Sequence, residues 1–247
     1  MPDHRAHRGP DPRDPALFNR DAWPRLRAAV AELSWLWTRG YALASSLKLV
    51  GDRHDLTDRQ RMAVRRSACS DQALERRRRH REPLGELRGR PLGIDGFNVL
   101  TTVEAALGGA FVFHGRDGSL RDLAGVHGTY RKVEETRPAI ALVGDYLAML
   151  GVGPCLWHLD RPVSNSGRLS ALLLELARDR GWDWQVELSY NPDDLLVGAP
   201  ETVATADAGI LDRCGRWTPL ACGVVEAAVA GANVVDLAAD GTEPQDL

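Results

Sequence analysis

Three aspartates stand directly after short apolar runs that read as β-strands. Asp95 ends the run "PLGID", Asp160 ends "PCLWHLD" and Asp207 ends "ETVATAD". One Asp after a strand is ordinary, because Asp favours turns and helix caps. Three acids at the same relative position predict a shared site, because ligands of open α/β sheets bind beyond the carboxyl ends of the strands.

Carboxylates gathered at one sheet edge would repel one another, and their pKa values would rise unless a cation joined them. Carboxylate oxygens are the ligands that suit Mg²⁺ or Mn²⁺. We therefore expect Mg²⁺ or Mn²⁺ to be bound by Asp95, Asp160 and Asp207. Glu104, in the helix after Asp95, and Asp212, five residues after Asp207, are further candidate ligands. The alternative is that each acid caps its own turn.

The segment "LDRPVSNSGRL" places small polar residues before a strongly helical run. We predict a phosphate pocket here, because a helix N-terminus presents backbone N–H groups to an anion. Its residues would be Ser164, Asn165, Ser166 and Arg168. An ordinary helix cap is the alternative. Asn98, three residues after Asp95, is predicted to orient that acid or the substrate.

A second polar stretch, "SLRDLAGVHGTYRK", carries Arg121 and Asp122 followed by His127, Tyr130 and Arg131. This density of polar side chains in one loop favours a lid or a substrate contact, with a purely structural loop as the alternative. We therefore add Arg121 and Asp122 to the candidate substrate-binding residues.

The chain of 247 residues is divided by charge at about residue 90. Residues 1–90 carry 20 Lys and Arg against 12 Asp and Glu, whereas residues 91–247 carry 11 against 22. A basic front part favours a polyanion partner. A long helix predicted over residues 56–82 would present a nucleic-acid surface or a merely solvated face. Its arginines are Arg65, Arg66, Arg76, Arg77, Arg78 and Arg79.

The pattern of elements changes at the same place. Residues 1–20 are predicted to be a flexible arm and residues 21–90 a small basic all-α domain. Residues 91–247 alternate short apolar runs with helical segments, which predicts a mostly parallel, Rossmann-like sheet with helices on both faces. The expected fold class is therefore α/β, preceded by a helical domain.

Composition excludes several classes of protein. The chain is 44% hydrophobic and 26% charged, as is ordinary for a globular protein, and no apolar run reaches the roughly 18 residues that a membrane helix needs. The four cysteines lack metal-ligand spacing, so we expect reduced thiols in a cytoplasmic protein. Oligomeric state is left open, with a homo-oligomer as one alternative.

The segment "IDGFNVL", followed later by "HLD" and "TAD", resembles the PIN-like and NYN nucleases. The resemblance covers about residues 91–240 and implies a PIN-like fold in which the strand-end acids hold Mg²⁺ or Mn²⁺ for phosphodiester hydrolysis. It matches Asp95 with Asn98 and also Asp207, and it gives Asp160 the place of an intermediate acid. The chain departs from typical members of the group in its "RDLAGVHGTYRK" and "SNSGRL" insertions.

Most of residues 42–215 also resembles a prokaryotic two-domain family of unknown function, through "LKLVGDRHDLTDRQRMAVRR" and "GIDGFNVLTTVEAAL" among other segments. The hypothesis drawn from the residues and both resemblances is a metal-dependent nuclease with Asp95, Asp160 and Asp207 as catalytic residues. RNA is favoured over DNA as its partner. The alternatives are a phosphohydrolase for a small phosphorylated substrate and a non-catalytic RNA- or nucleotide-binding protein.

Overall fold

The computed structural model describes residues 7–124, 130 and 132–238. Its α-helices are α1 (Asp14–Leu17), α2 (Trp23–Thr38), α3 (Leu43–Arg53), α4 (Asp58–Ser67), α5 (Asp71–His80), α6 (Gly96–Leu107), α7 (Thr136–Leu150), α8 (Ser166–Arg180), α9 (Pro192–Gly198), α10 (Ala208–Leu211) and α11 (Leu220–Ala228). The strands are β1 (Leu92–Asp95), β2 (Val112–His114), β3 (Leu120–Arg121), β4 (Cys155–Asp160), β5 (Trp184–Ser189), β6 (Thr202–Ala204), β7 (Trp217–Thr218) and β8 (Val234–Asp236).

A five-stranded parallel sheet in the order β5-β4-β1-β6-β7 forms the centre of the protein. The chain builds outward from β1 through β4 to β5, and then returns to the other side of β1 for β6 and β7. The order therefore reverses between β1 and β6, and a crevice opens at such a point beyond the carboxyl ends of the strands. These strands and the helices flanking them, after a helical N-terminal region, confirm the predicted α/β class.

The two faces of β1 are buried against different partners. Leu92 and Ile94 are fully buried in the main core, which α6, α7, α8 and α11 complete. Gly93 points to the opposite face, where Glu201 and Leu196 lie close to its backbone. Burial on both faces explains why this strand reads as a short, nearly continuous apolar run rather than as an alternating one.

A second sheet joins the helical region to the rest of the chain. Strand β2 pairs antiparallel with β3 and parallel with β8. Phe113 and Val235 from this sheet are buried in the same core as Leu26 and Leu33 of α2. The runs "AFVFH" and "ANVVDL" are thus strands as predicted, but they lie outside the central sheet. The predicted boundary near residue 90 stays a prediction, because this core takes residues from both sides of it.

The long helix predicted over residues 56–82 is two helices. Thr57 and Gln60 form the expected capping box at the start of α4. The chain then becomes extended at Ala68, and Ser70 begins α5 by accepting a hydrogen bond from the N–H of Ala73 at 3.2 Å. A serine that can bond to the backbone competes with helix continuation, and here it starts a new helix.

The arm predicted over residues 1–20 is packed from residue 7 onward. Arg8 forms an ion pair with the buried Glu104 at 2.6 Å. Asp14 binds the Arg59 guanidinium, and Phe18 is buried in the helical core. Residues 1–6 lie outside the described part of the chain.

The described residues bear on two expectations drawn from the sequence, one about membrane-spanning helices and one about the cysteine thiols. None of the described helices is both long and apolar enough to cross a membrane. All four cysteines are buried free thiols, and burial raises the pKa of Cys155 and of Cys222 to about 12 in each case.

A buried network of charges ties α5 to the β2–β3 turn. The carboxylate of Asp117 accepts hydrogen bonds from Arg77 at 2.6 Å and from Arg121 at 2.7 Å. Burial opposes ionisation of Asp117, but the two guanidiniums outweigh it and hold the pKa of this carboxyl far below its ordinary value. Arg77 also binds Asp212, just after α10, at 2.8 Å. The network therefore fixes three separate parts of the chain to one another.

Asp117→Asn should destabilise the protein, because it removes the buried carboxylate that the guanidiniums of Arg77 and Arg121 share. We expect the free energy of unfolding to fall by about 3 kcal/mol, measured by urea unfolding followed by circular dichroism. Asp179→Asn is the matched control, since Asp179 is exposed and makes no hydrogen bond or ion pair with the described residues. Equal urea midpoints for Asp117→Asn and the control would contradict this role.

Candidate functional site

A groove of about 960 Å³ lies beyond the carboxyl ends of the central strands. One wall is the sheet edge with the segments that follow β1, β3, β5 and β6, and the other is the helical region. The sheet side contributes Asp95, Phe97, Asn98, Thr101, Thr102, Arg121, Asp122, Ala124, Asp160, Asp193, Ala206, Asp207, Ala208 and Asp212. The helical side contributes Trp37, Gly40, Tyr41, Leu43, Met62, Arg65, Arg66, Ala68, Cys69, Ser70, Ala73 and Arg77.

Asp95 stands at the point where the strand order reverses. It ends β1, and its Oδ2 accepts a hydrogen bond from the hydroxyl of Thr205 at 2.7 Å. Desolvation raises the pKa of Asp95 to about 7, and the nearby carboxylates of Asp207 and Asp193 add to that rise. The Thr205 hydroxyl opposes it by stabilising the ionised form.

Asn98 and Asp207 together fix the loop after β6. Asn98 Oδ1 accepts a hydrogen bond from the backbone N–H of Ala206 at 2.8 Å, which joins α6 to this loop. Asp207 Oδ1 accepts from the N–H groups of Gly209 and Ile210, so it caps α10 while lining the groove. Asp207 therefore has both of the positions considered from the sequence: it caps a helix and it lines the groove.

Asp160 and Asp193 extend the acidic floor toward β4 and β5. Burial raises the pKa of both carboxyls, and Asp193 raises the pKa of Asp160 further by charge repulsion. Asp193 lies in the first turn of α9, after Pro192. Asp193 was not among the acids predicted from the sequence, although its position after a strand and a helix-starting Pro was an available signal.

Gly96 has a packing role directly beside the site. A Cβ added there would lie 2.5 Å from Leu159 Cδ2 and 3.1 Å from the His158 carbonyl oxygen. The absence of a side chain lets α6 begin close against β4, and this keeps Asn98 near the loop after β6. His158 itself is buried, and neither of its ring nitrogens has a hydrogen-bond partner in the described chain.

The acids share a groove without forming a complete set of metal ligands. Within the described residues, no group of three or more His, Cys, Asp or Glu side chains is arranged to hold a metal ion. The donor chemistry still fits a hard cation, because Asp95 and Asp207 repel each other across a partly desolvated space. Mg²⁺ is commonly held by only one or two carboxylates together with substrate phosphates.

The arginines of the groove differ in whether they already form hydrogen bonds or ion pairs with described residues. Arg66 donates to the backbone oxygens of Asp122 and Ala124, and Arg121 donates to the Ala206 oxygen at 2.7 Å. Arg65 is exposed and makes no hydrogen bond or ion pair with any described residue. Arg65 is therefore the groove arginine best placed to meet a phosphate.

Asp122 lies in the groove, but its surroundings limit it. Its Oδ2 accepts a hydrogen bond from Thr102 at 3.0 Å, and its Oδ1 lies 3.7 Å from Arg66. Oδ1 is buried and has no hydrogen-bond partner within the described residues. His127 and Arg131, which were grouped with Asp122 as a lid or contact loop, lie outside the described part of the chain.

The "SNSGRL" segment lies in a different place from the acids. Asn165 and Arg168 line a separate hollow of about 310 Å³ with Tyr130 and Lys132. Asn165 donates to the Tyr130 carbonyl at 2.9 Å, so its amide is used in the structure. Ser166 donates to the Arg161 carbonyl at 3.2 Å. Ser164 likewise belongs to the turn before α8 and does not line the groove.

Glu104 is also away from the groove. It is fully buried in α6, where it accepts hydrogen bonds from Tyr130 and from Thr136 and pairs with Arg8. A carboxylate enclosed by three donors has no exposed oxygen to offer a ligand, so Glu104 is not among the residues that we propose to bind a cation. Asp212 lines the groove, but its Oδ1 is held by Arg77.

The arginine run of α5 does not form one exposed surface. Arg77 is buried in the Asp117 network, so it cannot contact a polyanion as part of an open face. Arg76 donates to the backbone oxygens of Arg213 and Cys214, and Arg79 pairs with Glu75. Arg78 is exposed. Arg76, Arg78 and Arg79 lie outside the groove.

The fold and the site define a doubly wound α/β protein with an acidic groove at the reversal point of its sheet. The chain belongs to the family described as "Domain of unknown function (DUF5616)", whose model matches residues 84–222. A second family, "Protein of unknown function (DUF434)", matches residues 25–80. The two matches cover the sheet side and the helical side of the groove respectively.

An uncharacterised protein of Methanocaldococcus jannaschii is 29% identical to the chain over 186 residues. That similarity covers 75% of this chain and 88% of the archaeal protein. No solved structure matches the chain.

Asp95→Asn should stabilise the protein at alkaline pH. The pKa of Asp95 rises on folding from an ordinary 3.8 to about 7, so its ionisation opposes folding increasingly as the pH rises through this interval. The variant should gain on the order of 2 kcal/mol at about pH 8 and change little at about pH 4. Urea unfolding at both pH values, with Asp179→Asn as the control, measures the difference. A variant less stable than wild type at about pH 8 would contradict the assigned pKa.

Proposed function

We propose that the groove hydrolyses phosphodiester bonds in nucleic acid with the help of a divalent cation, and that RNA is the favoured substrate. The observation that most supports this proposal is that acidic and basic side chains line the same groove. Carboxyls whose pKa values are raised by burial and by neighbouring carboxylates line its floor, and arginines line its walls. A phosphate with a bound cation satisfies both, whereas a bare anion would be repelled by the floor.

The residues proposed to hold the cation are Asp95 and Asp207, with Asp160 and Asp193 within the same groove. Their oxygens are of the type that Mg²⁺ and Mn²⁺ prefer. A bound cation of this kind lowers the pKa of a coordinated water and offsets negative charge on the phosphate. The set departs from the sequence-based one by including Asp193. It leaves out Glu104, which is enclosed by donors, and Asp212, whose Oδ1 is held by Arg77.

Two residues, Thr205 and Asn98, give the proposed site its rigidity. Thr205 donates to Asp95 and accepts from the N–H of Asp207, so one hydroxyl sets the position of both acids. Asn98 holds the intervening loop through Ala206. Desolvated and close to the carboxylates of Asp207 and Asp193, Asp95 is the acid whose charge a bound cation would compensate. We assign Asp95 the central catalytic role.

The resemblance of "IDGFNVL" and "TAD" to PIN-like and NYN nucleases supports the same proposal, because it independently selects Asp95, Asn98 and Asp207. A phosphohydrolase for a small phosphorylated compound is the second candidate. Its supporting observation is the groove volume of about 960 Å³, which is near the upper end of the range for small-ligand pockets.

Asp95→Asn should abolish cleavage of labelled RNA in the presence of Mn²⁺ or Mg²⁺. The expected loss is about 100-fold or more, the scale seen when a group that stabilises the transition state is removed. Product formation on denaturing gels measures the rate, with a chelator-treated sample beside it. The same assay with single-stranded DNA tests the preference for RNA.

Asp179→Asn is the control for this experiment because it makes the same chemical change at an exposed site remote from the groove. Equal RNA cleavage by wild type and Asp95→Asn would overturn the catalytic role. Turnover of nucleoside phosphates without any cleavage of RNA would favour the second candidate. Metal-independent RNA binding without any turnover would favour a non-catalytic binding protein.

Arg65→Ala should weaken RNA binding and reduce its dependence on salt. Removal of one phosphate contact with a single strand should lower the slope of log affinity against log salt by about 0.7. Arg78→Ala is the matched control, because Arg78 is exposed on the same helical region but outside the groove. Fluorescence anisotropy over a salt series gives both slopes, and a larger effect for Arg78→Ala would place the RNA on the outer face of α5.

A further inference from the structure

We propose that the groove takes single-stranded nucleic acid and that a nucleobase stacks on Tyr41. This inference rests on the proposed function for its choice of ligand, but it concerns binding and not cleavage. It assigns a role to the turn between α2 and α3, which no motif in the sequence pointed to.

The wall of the groove opposite the acids is apolar and aromatic at its rim. Trp37 and Tyr41 line it together with Leu43 and Met62. Tyr41 is 58% exposed, and Leu43 and Met62 are also among the exposed large apolar side chains of the chain. Side chains of this kind at the mouth of a groove with charged walls can cover the flat, apolar face of a ligand.

The backbone holds Tyr41 in place while its ring stays open. Its N–H donates to the Leu36 carbonyl at 3.2 Å, across a turn in which Gly40 has a positive φ of 80°. Residues with a side chain rarely adopt such a φ, so the glycine permits the turn that presents Tyr41. A tyrosine side chain has only two χ angles, so little conformational entropy is lost when a base stacks on it.

Tyr41 also differs from the other highly exposed aromatic residues. Trp35 is 53% exposed and Tyr190 is 69% exposed, and both have an arginine over the ring, Arg39 at 3.7 Å and Arg161 at 5.5 Å respectively. Tyr41 has no aromatic or cation partner among the described residues. Its ring is the one of these three left uncovered, and it faces a groove.

The charges of the groove indicate what kind of ligand it binds. That ligand must combine a flat face with an anionic group. Arg65 lies in the same wall as Tyr41 and has no partner among the described residues, while the acids line the opposite side. A nucleotide presents a base to the ring, a phosphate to the arginine and a second phosphate toward the acids with their cation. In a duplex the base faces are already stacked, so only an unpaired strand can use Tyr41.

The test measures binding in the Asp95→Asn protein, so that the RNA stays intact. The probe is a fluorescein-labelled single-stranded RNA of about 12 nucleotides, a length within the range of single-strand sites. Adding Tyr41→Ala should weaken binding at least about fivefold, and adding Tyr41→Phe, which keeps the ring, should leave it nearly unchanged. Trp35→Ala is the matched control, since it removes an exposed aromatic ring outside the groove.

A probe with 2-aminopurine at successive positions adds a direct readout of stacking. Its fluorescence should be quenched on binding and should recover in the Tyr41→Ala variant. Equal affinity of the Tyr41→Ala and Tyr41→Phe variants would overturn the inference, as would competition by duplex RNA as strong as that by single strands.

The inference and the proposed function fail in different ways. If wild type cleaves RNA and Asp95→Asn does not, but Tyr41→Ala binds as well as Tyr41→Phe, the nuclease stands and the stacking is overturned. If no cleavage occurs but binding depends on the Tyr41 ring, the stacking stands and the catalytic role of Asp95 falls.

Discussion

The buried contact of Asp117 with Arg77 and Arg121 is the interaction on which the rest of the structure depends. Arg77 comes from α5, Asp117 from the β2–β3 turn, and Arg121 reaches on to the Ala206 carbonyl beside the acids. Both walls of the groove are thereby fixed to one carboxylate. Burial of charged groups is costly unless they are paired and hydrogen-bonded, so this arrangement tolerates few alternatives in geometry. This buried contact therefore sets the distance between the two walls of the groove.

The floor of the groove is built on the opposite electrostatic principle. Asp117 is fully compensated, whereas Asp95, Asp160 and Asp193 are partly desolvated and lie near other carboxylates, so their pKa values rise. Natural proteins keep strain of this kind mainly where it serves a function. A raised pKa alone does not mark the candidate site, since burial also raises the pKa of Glu104, which Arg8, Tyr130 and Thr136 enclose. Asp95, Asp160 and Asp193 differ from Glu104 in lining an open groove.

Much of the fold could be predicted because it depends on local patterns. Apolar runs bounded by turn residues gave the strands, and their alternation with helices gave the parallel sheet. The position of Asp95 at a strand end followed from the same pattern. What sequence could not give were contacts between remote residues. The separation of Asn165 from the acids and the burial of Arg77 depend on tertiary packing, and so does the contribution of α2 to the groove. The break at Ser70 was readable as a cap, but a run of helix-favouring arginines masked it.

The shared groove has a consequence for how this protein could have evolved. The helical side of the groove lies within residues 25–80, matched by one family. The sheet side with its acids lies within residues 84–222, matched by the other. If the two segments were encoded by separate genes, their products would have to bury Arg77, Asp117 and Arg121 at an interface before any groove existed. The cost of assembling that charged interface from two dilute chains favours fusion, since a covalent link raises the effective concentration of one segment around the other. The linkage of the two segments in one chain therefore favours formation of the groove.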